Sequence, residues 1–162
     1  MPTPMIELLS TSPEQTQGLA AAIAALARPS DLIVLAGEMG AGKTAFAQGF
    51  ARQLGIHEPV TSPTYTLVRT YQAGRLSLHH VDLYRLEHTA EIDDLALSEL
   101  LDDRSIMLVE WGDVVDLGPQ LHVELRVGSD VEAREITLTS SDRRWLPRWE
   151  RLEAALQEWV AA

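Results

Sequence analysis

Apolar positions along this chain fall into two periods. Leu32-Ile33-Val34-Leu35-Ala36 and Ile106-Met107-Leu108-Val109 are short continuous apolar runs, the pattern of strands buried on both faces. Met5 to Leu9 predicts a short edge strand. Tyr65 to Tyr71 and Leu76 to Leu83 predict two strands joined at Ala73-Gly74-Arg75 as a hairpin, and Leu121 to Val127 with Glu135 to Thr139 a second antiparallel pair. Between them the period lengthens. Leu19, Ile23 and Leu26 follow Ser12-Pro13-Glu14-Gln15 at helical spacing. There the serine caps, the proline takes the first position and the glutamine completes a capping box. Pro29-Ser30-Asp31 is the expected end of that helix. Ala45 to Leu54 predicts a second helix stopped by Gly55, Thr89 to Leu101 a third with an acidic first turn, and Pro147 to Val160 a last one. Trp145, Trp149, Leu152 and Leu156, continued by Val160, make an apolar stripe. Such a stripe is expected to pack on the body, since leaving it bare for a partner exposes a large apolar patch.

Helices interleaved with buried strands and hairpins imply an α/β domain with a mixed parallel and antiparallel sheet flanked by helices. No linker, repeat or low-complexity stretch divides the 162 residues, so one domain over 1–162 is expected, with its C-terminal helix at about 147–160.

The segment between the first buried run and the second helix changes this picture from fold to chemistry. Gly37-Glu38-Met39-Gly40-Ala41-Gly42-Lys43-Thr44 matches G-x-x-x-x-G-K-[ST] throughout. Glycines let the backbone wrap an anion with its N–H groups turned inward, and the helix that follows adds the positive end of its dipole. Lys43 is expected to reach the β- and γ-phosphates of a nucleotide, and the Thr44 hydroxyl to ligate Mg²⁺. Gly37 to Ala45 is therefore the candidate nucleotide-binding segment, and the domain is expected to be P-loop NTPase-like.

Such a site needs a carboxylate at the end of a neighbouring buried strand. Glu110 ends the run Ile106 to Val109, and Asp82 ends Leu78-His79-His80-Val81. Glu110 is assigned to Mg²⁺, directly or through water, and Asp82 to positioning water or to a supporting place behind the metal ligands. His79 and His80 are adjacent on a strand and face opposite sides. They are expected to pack or hydrogen-bond instead of sharing a zinc ion.

Composition narrows the setting. Hydrophobic residues make up 46% and charged residues 23%, which suits a water-soluble domain with a sizeable core. The absence of cysteine excludes disulfides, cysteine-ligated zinc and cysteine nucleophiles. No apolar run has the length of a membrane span, and Met1 to Met5 lacks a basic leader, so a cytoplasmic location without membrane contact is expected. Thirteen Lys and Arg against 24 Asp and Glu give a net charge of −11. That balance is poorly suited to gripping RNA phosphates unaided, so any RNA contact is expected to run through a partner.

Further segments bring in a family. Thr61-Ser62-Pro63-Thr64-Tyr65-Thr66-Leu67-Val68, His80-Val81-Asp82-Leu83-Tyr84-Arg85-Leu86 and Leu108-Val109-Glu110-Trp111, together with the phosphate loop and in the same order and spacing, resemble the TsaE proteins. The resemblance covers roughly residues 12 to 139, and the tail beyond Ser140 departs from it. It implies a protein that binds ATP and Mg²⁺ and hydrolyses ATP slowly. It also implies work with the TsaB–TsaD complex, which transfers threonylcarbamoyl to the adenosine next to the anticodon of certain tRNAs, so that tRNA is met indirectly. By the same resemblance Lys43, Asp82 and Glu110 are the catalytic group, Thr44 and Glu110 the metal ligands, and Trp111 part of a switch. Thr16 resembles a nucleotide-side threonine on the first helix, and Arg134 a late nucleotide-contacting arginine. Ser62 and Thr64 are candidates for sensing the γ-phosphate, through a hydroxyl-rich loop that orders on phosphate and Mg²⁺.

Two other classes fit a phosphate loop: a small-molecule kinase and a nucleotide-sensing scaffold. The sequence carries no Arg-rich lid of the kind a kinase uses, and its two strand-end acids favour hydrolysis over sensing alone. No N-K-x-D-type element favours GTP.

Overall fold

The computed structural model describes residues 3–61, 68–83, 97–111 and 117–161. Among them, seven strands form one sheet: β1 (Met5–Ser10), β2 (Leu32–Ala36), β3 (Val68–Ala73), β4 (Leu76–Asp82), β5 (Ser105–Glu110), β6 (Leu121–Val127) and β7 (Arg134–Ser140). Their order is β1-β7-β6-β2-β5-β4-β3. β2 lies at the centre, parallel to β5 on one side and to β6 on the other, and β4 extends the parallel set beyond β5. Antiparallel strands flank it: β3 on β4, and β7 then β1 beyond β6. The expected single α/β domain with a mixed sheet is what the chain forms. Its two continuous apolar runs became central neighbours, with every residue of β2 and β5 buried.

Helices cover the sheet. On one face α1 (Pro13–Ala24) and α2 (Lys43–Gln53) pack Leu19, Ile23, Phe46 and Phe50 onto Ile33, Leu35, Ile106 and Leu108. The other face gathers Val34, Val81, Met107 and Val109 with Leu97 of the short helix α3 (Leu97–Leu100). Each such side chain contributes about 1.5–3 kcal/mol on leaving water. α1 and α2 meet at Gly49, where a Cβ would run into the Gln17 backbone.

The predicted start of α1 is present. The Ser12 hydroxyl accepts from the Gln15 N–H at 3.1 Å, and the Gln15 side chain accepts from the Thr11 N–H at 2.8 Å. The helix ends sooner than Pro29, at Ala24. The Leu26 and Ala27 amides turn to the carbonyls of Ile23 and Ala24, which tightens the chain out of α-helical bonding. Of the predicted helix over Thr89 to Leu101, residues 84–96 lie outside the described residues.

The C-terminal segment is the clearest correction. In place of one helix over 147–160 there is a 3₁₀ segment (Arg143–Arg148), a short α4 (Trp149–Ala155) and a further 3₁₀ turn (Gln157–Trp159). Asp142 accepts from the Arg144 N–H at 2.9 Å and starts the turn early, while Pro147 has no N–H to give an α-helix. Trp145, Trp149, Leu152 and Leu156 are buried as expected for a stripe packed on the body, whereas Val160 stays exposed. Val160 bridges Leu8, and the Ala161 N–H donates to the Glu7 carbonyl at 3.1 Å, so the chain end covers the open side of β1. Arg148 anchors the segment. Its guanidinium donates to both oxygens of Asp31 at 2.7 and 3.1 Å and lies 3.8 Å from the Trp145 ring centroid.

Candidate functional site

The central strand delivers the phosphate-loop motif directly. β2 ends at Ala36, and the chain then turns through Gly37 to Gly42 into α2. Gly37 has φ 152°, and a Cβ there would lie 2.5 Å from the Leu125 carbonyl oxygen, so β6 approaches as closely as it does only because the residue is glycine. Gly42, at φ 105°, opens α2, whose first turn carries no side-chain cap. The helix begins two residues before the predicted Ala45, because the Phe46 N–H bonds the Gly42 carbonyl at 3.0 Å and draws Lys43 and Thr44 into the first turn. Ala41 is buried, Glu38 takes the Ala41 N–H on its carbonyl at 3.0 Å, and Met39 is 69% exposed at the tip of the loop.

Lys43 is nearly enclosed at 6% exposure. Its ammonium donates to the Gly37 carbonyl at 2.5 Å and to the Glu38 carbonyl at 2.9 Å, and lies 3.7 Å from the centroid of the Trp111 ring. A cation held by carbonyls of its own loop and by an aromatic face at the end of β5 can exchange them for an anion.

Two carboxylates stand beside it for a topological reason. β5 runs parallel to β2 with Glu110 opposite Leu35, two residues before Gly37, and β4 runs parallel to β5 with Asp82 opposite Glu110. Both acids thus finish their strands at the edge where the loop begins. The ends are stitched together: the Leu83 N–H donates to the Glu110 carbonyl at 3.1 Å and the Trp111 N–H to the Leu35 carbonyl at 2.9 Å. Trp111 holds φ at 66°, a left-handed conformation that costs about 1–3 kcal/mol outside glycine, so the chain leaves β5 through a strained residue. Glu110 is 3% exposed. Thr44, Asp82 and Glu110 offer only oxygen donors, a set suited to a small hard cation that keeps several waters.

Thr16 and Arg134 come together on the loop's other side. With Pro13, Gly42, Ala45 and Glu132 they line a cavity of about 70 Å³ against the start of α2. Thr16 is buried, with its hydroxyl 2.7 Å from that of Ser10. Arg134 is engaged by the loop itself. Its Nε donates to the Ala41 carbonyl and one terminal nitrogen to the Gly40 carbonyl, both at 3.1 Å, while the other donates to Val131 and Ala133 at 2.7 and 2.8 Å. A residue expected to touch nucleotide thus also braces the loop. Ser62 and Thr64 lie outside the described residues, as do Tyr84 and Arg85.

His79 and His80 hydrogen-bond as expected, but His80 is not among the residues expected in the site. His79 bonds the Thr70 hydroxyl across the hairpin at 2.8 Å, but His80, fully buried, sets its Nε2 2.5 Å from Oε2 of Glu110. The signal was present: His80 is two residues before Asp82, hence on the same strand face.

Comparisons with known proteins give the chain's family and fold. The family model described as "Threonylcarbamoyl adenosine biosynthesis protein TsaE" matches residues 10–136. The chain is 41% identical over 140 residues to the tRNA threonylcarbamoyladenosine biosynthesis protein TsaE of Bacillus subtilis strain 168, covering 84% of this chain and 86% of that one. It is 37% identical over 133 residues to the protein of that name from Treponema pallidum (80% and 97% covered), and 39% identical over 132 residues to that from Streptomyces coelicolor (76% and 88%). The crystal structure of Bacillus subtilis YdiB superposes with a TM-score of 0.82 at 32% identity, covering 95% of this chain and 97% of that one.

Proposed function

The chain belongs to the TsaE family of tRNA threonylcarbamoyladenosine biosynthesis proteins, and from that premise we propose that it is an ATPase that binds ATP with Mg²⁺ and hydrolyses it slowly in support of the TsaB–TsaD complex. It acts on the tRNA through that complex and is not itself the transferase. The carrying observation is the enclosed Lys43 ammonium, held by the carbonyls of its own loop, with Glu110 at the adjoining strand end. No helix among the described residues is long and apolar enough to cross a membrane, and we place the work in the cytoplasm.

The residues present fit both groups. Lys43 would give up the Gly37 and Glu38 carbonyls for the β- and γ-phosphates, and the loop amides with the start of α2 would hold the remaining phosphate charge. Thr44 and Glu110 would hold the Mg²⁺, which when bound neutralises charge gathering on the phosphate oxygens. Asp82, beside Glu110, would orient the attacking water. Arg134 would keep the loop in shape, and the cavity it shares with Thr16 would take the nucleoside side. Ser62, Thr64 and Trp111 would report the phosphate state to the partner surface.

The test is steady-state ATP hydrolysis by the purified protein, alone and with its own TsaB–TsaD pair. Slow turnover that rises with the pair and vanishes in Lys43→Ala supports the reading. Brisk turnover indifferent to the pair, or rapid phosphoryl transfer to a small acceptor, would replace it with an independent ATPase or a kinase. Binding without turnover under both conditions would leave a sensing scaffold.

A further inference from the structure

We propose that His80 is a positioning residue for the Glu110 carboxylate, an assignment that rests on the ATPase reading above and deepens it. Three observations carry it. The His80 ring is fully buried and sets Nε2 2.5 Å from Oε2 of Glu110, itself only 3% exposed. His80 stands opposite Leu108 on β5, so its ring reaches forward by two residues along the strands to the carboxylate, on the sheet face that carries α2. Its other nitrogen, Nδ1, has no hydrogen-bond partner among the described residues. The ring therefore directs its buried hydrogen bond to Glu110 alone. The neutral ring with its proton on Nε2 is the tautomer that satisfies the carboxylate and leaves only a lone pair uncovered.

The consequence is geometric. A glutamate has three side-chain torsions, and at a strand end only its partners decide where the carboxylate points. With Oε2 held by His80, the side chain is pinned and Oε1 is the oxygen His80 leaves for an ion. Glu110 then offers its metal one oxygen in a fixed direction, and the entropy of ordering it has been met on folding and need not be met when nucleotide arrives. An apolar residue of similar size would fill the same space against Leu78 and Leu108, so core packing alone does not call for a histidine here.

The experiment compares His80→Phe, which fills the space without a donor, with His80→Gln, whose amide N–H reaches about as far as Nε2. Each is tested for binding of a fluorescent, non-hydrolysable ATP analogue in EDTA and across a Mg²⁺ titration, and for turnover across the same titration. The expected result for His80→Phe is unchanged binding in EDTA with a Mg²⁺ requirement raised about 10- to 100-fold, the usual consequence of losing the partner of a metal ligand. His80→Gln recovers most of it. A His80→Phe protein with the wild-type Mg²⁺ dependence overturns the proposal. If that variant does not fold, ¹⁵N-histidine NMR of the wild-type protein decides: an Nε2-bound proton of His80 that shifts on adding Mg²⁺ to the nucleotide complex supports it, and one indifferent to Mg²⁺ overturns it. Wild-type protein that binds the analogue equally in EDTA and Mg²⁺ would instead take down the metal-dependent reading on which the proposal stands.

Discussion

The Lys43 ammonium lies 3.7 Å from the centroid of the Trp111 ring, which joins the cation of the phosphate loop to the residue directly after the buried Glu110. A nucleotide that draws Lys43 onto its phosphates must change what that ring faces. Intrinsic fluorescence is therefore expected to shift on adding ATP, and the shift to disappear in Trp111→Phe. The other three tryptophans, Trp145, Trp149 and Trp159, lie in the C-terminal segment clamped to the start of β2, while the loop leaves its end. A full shift surviving in Trp111→Phe would separate the ring from the nucleotide response.

The two strand-end acids are expected to separate by assay. Glu110→Gln should lower turnover about 10²- to 10³-fold, the scale for losing one electrostatic group at a reacting centre, with binding retained in EDTA. Asp82→Asn should lower turnover while leaving the Mg²⁺ requirement near that of the wild type, since its assigned partner is water. Equal changes in Mg²⁺ requirement for the two variants would show that both hold the metal.

Arg134 gives the loop carbonyls of Gly40 and Ala41 charged donors. A hydrogen bond to a charged group contributes about 1.5–3 kcal/mol, so Arg134→Ala is expected to weaken nucleotide binding about 10- to 100-fold by letting the loop relax. Arg134→Lys should not restore it, because a single ammonium cannot reach Ala41 and Gly40 from one side and Val131 and Ala133 from the other, as the three nitrogens of the guanidinium do. Calorimetric titration with ATP reads the result, and a lysine variant at wild-type affinity would argue against the brace.

The Asp31–Arg148 pair is buried on both sides. Removing Arg148 leaves Asp31 only the half-exposed Arg144 at 3.6 Å and the Arg28 N–H at 2.7 Å, so Arg148→Met is expected to lose about 3 kcal/mol of stability in denaturant unfolding. Turnover per folded molecule should not change, since the pair sits at the far end of β2. A variant with wild-type stability would mean that the apolar stripe holds the segment without it.

Acid should loosen the same region. Burial alone pushes the Asp142 carboxyl up, but the Arg144 side-chain and amide hydrogen bonds, with the charges of Arg144 and Arg148, outweigh it and hold the group below its ordinary 3.8. The sign follows from a lowered folded value: the stabilisation is complete above that ordinary value and drains away as pH falls below it. Asp142→Asn is expected to melt lower at neutral pH and to lose less on going to acid than the wild type. Parallel melting curves for the two proteins from neutral pH into that range would refute the role.

Much of this protein was legible before its structure. The buried runs at β2 and β5, the hairpin at Gly74, the Ser12 cap and the glycine-rich loop are local patterns, each confined to one short stretch of chain and each forming where expected among the described residues. The C-terminal segment departs from the single helix its apolar spacing predicts because Pro147 and the Asp142 turn break the backbone pattern. The early end of α1 escaped for a similar reason: the amides of Leu26 and Ala27 chose nearer carbonyls than the α-helical ones.

The sequence by itself determined most of the elements, the glycine-rich loop between β2 and α2 and which acids end strands, because backbone periodicity and turn chemistry act over a few residues. Only the tertiary structure decided who those residues meet. That Glu110 receives His80, that Arg134 grips Gly40 and Ala41 across 94 and 93 residues, and that Asp31 holds Arg148 across 117 follow from strand order and register. Those are set by the burial of whole faces against one another, and no local pattern of apolar and polar residues records the partner.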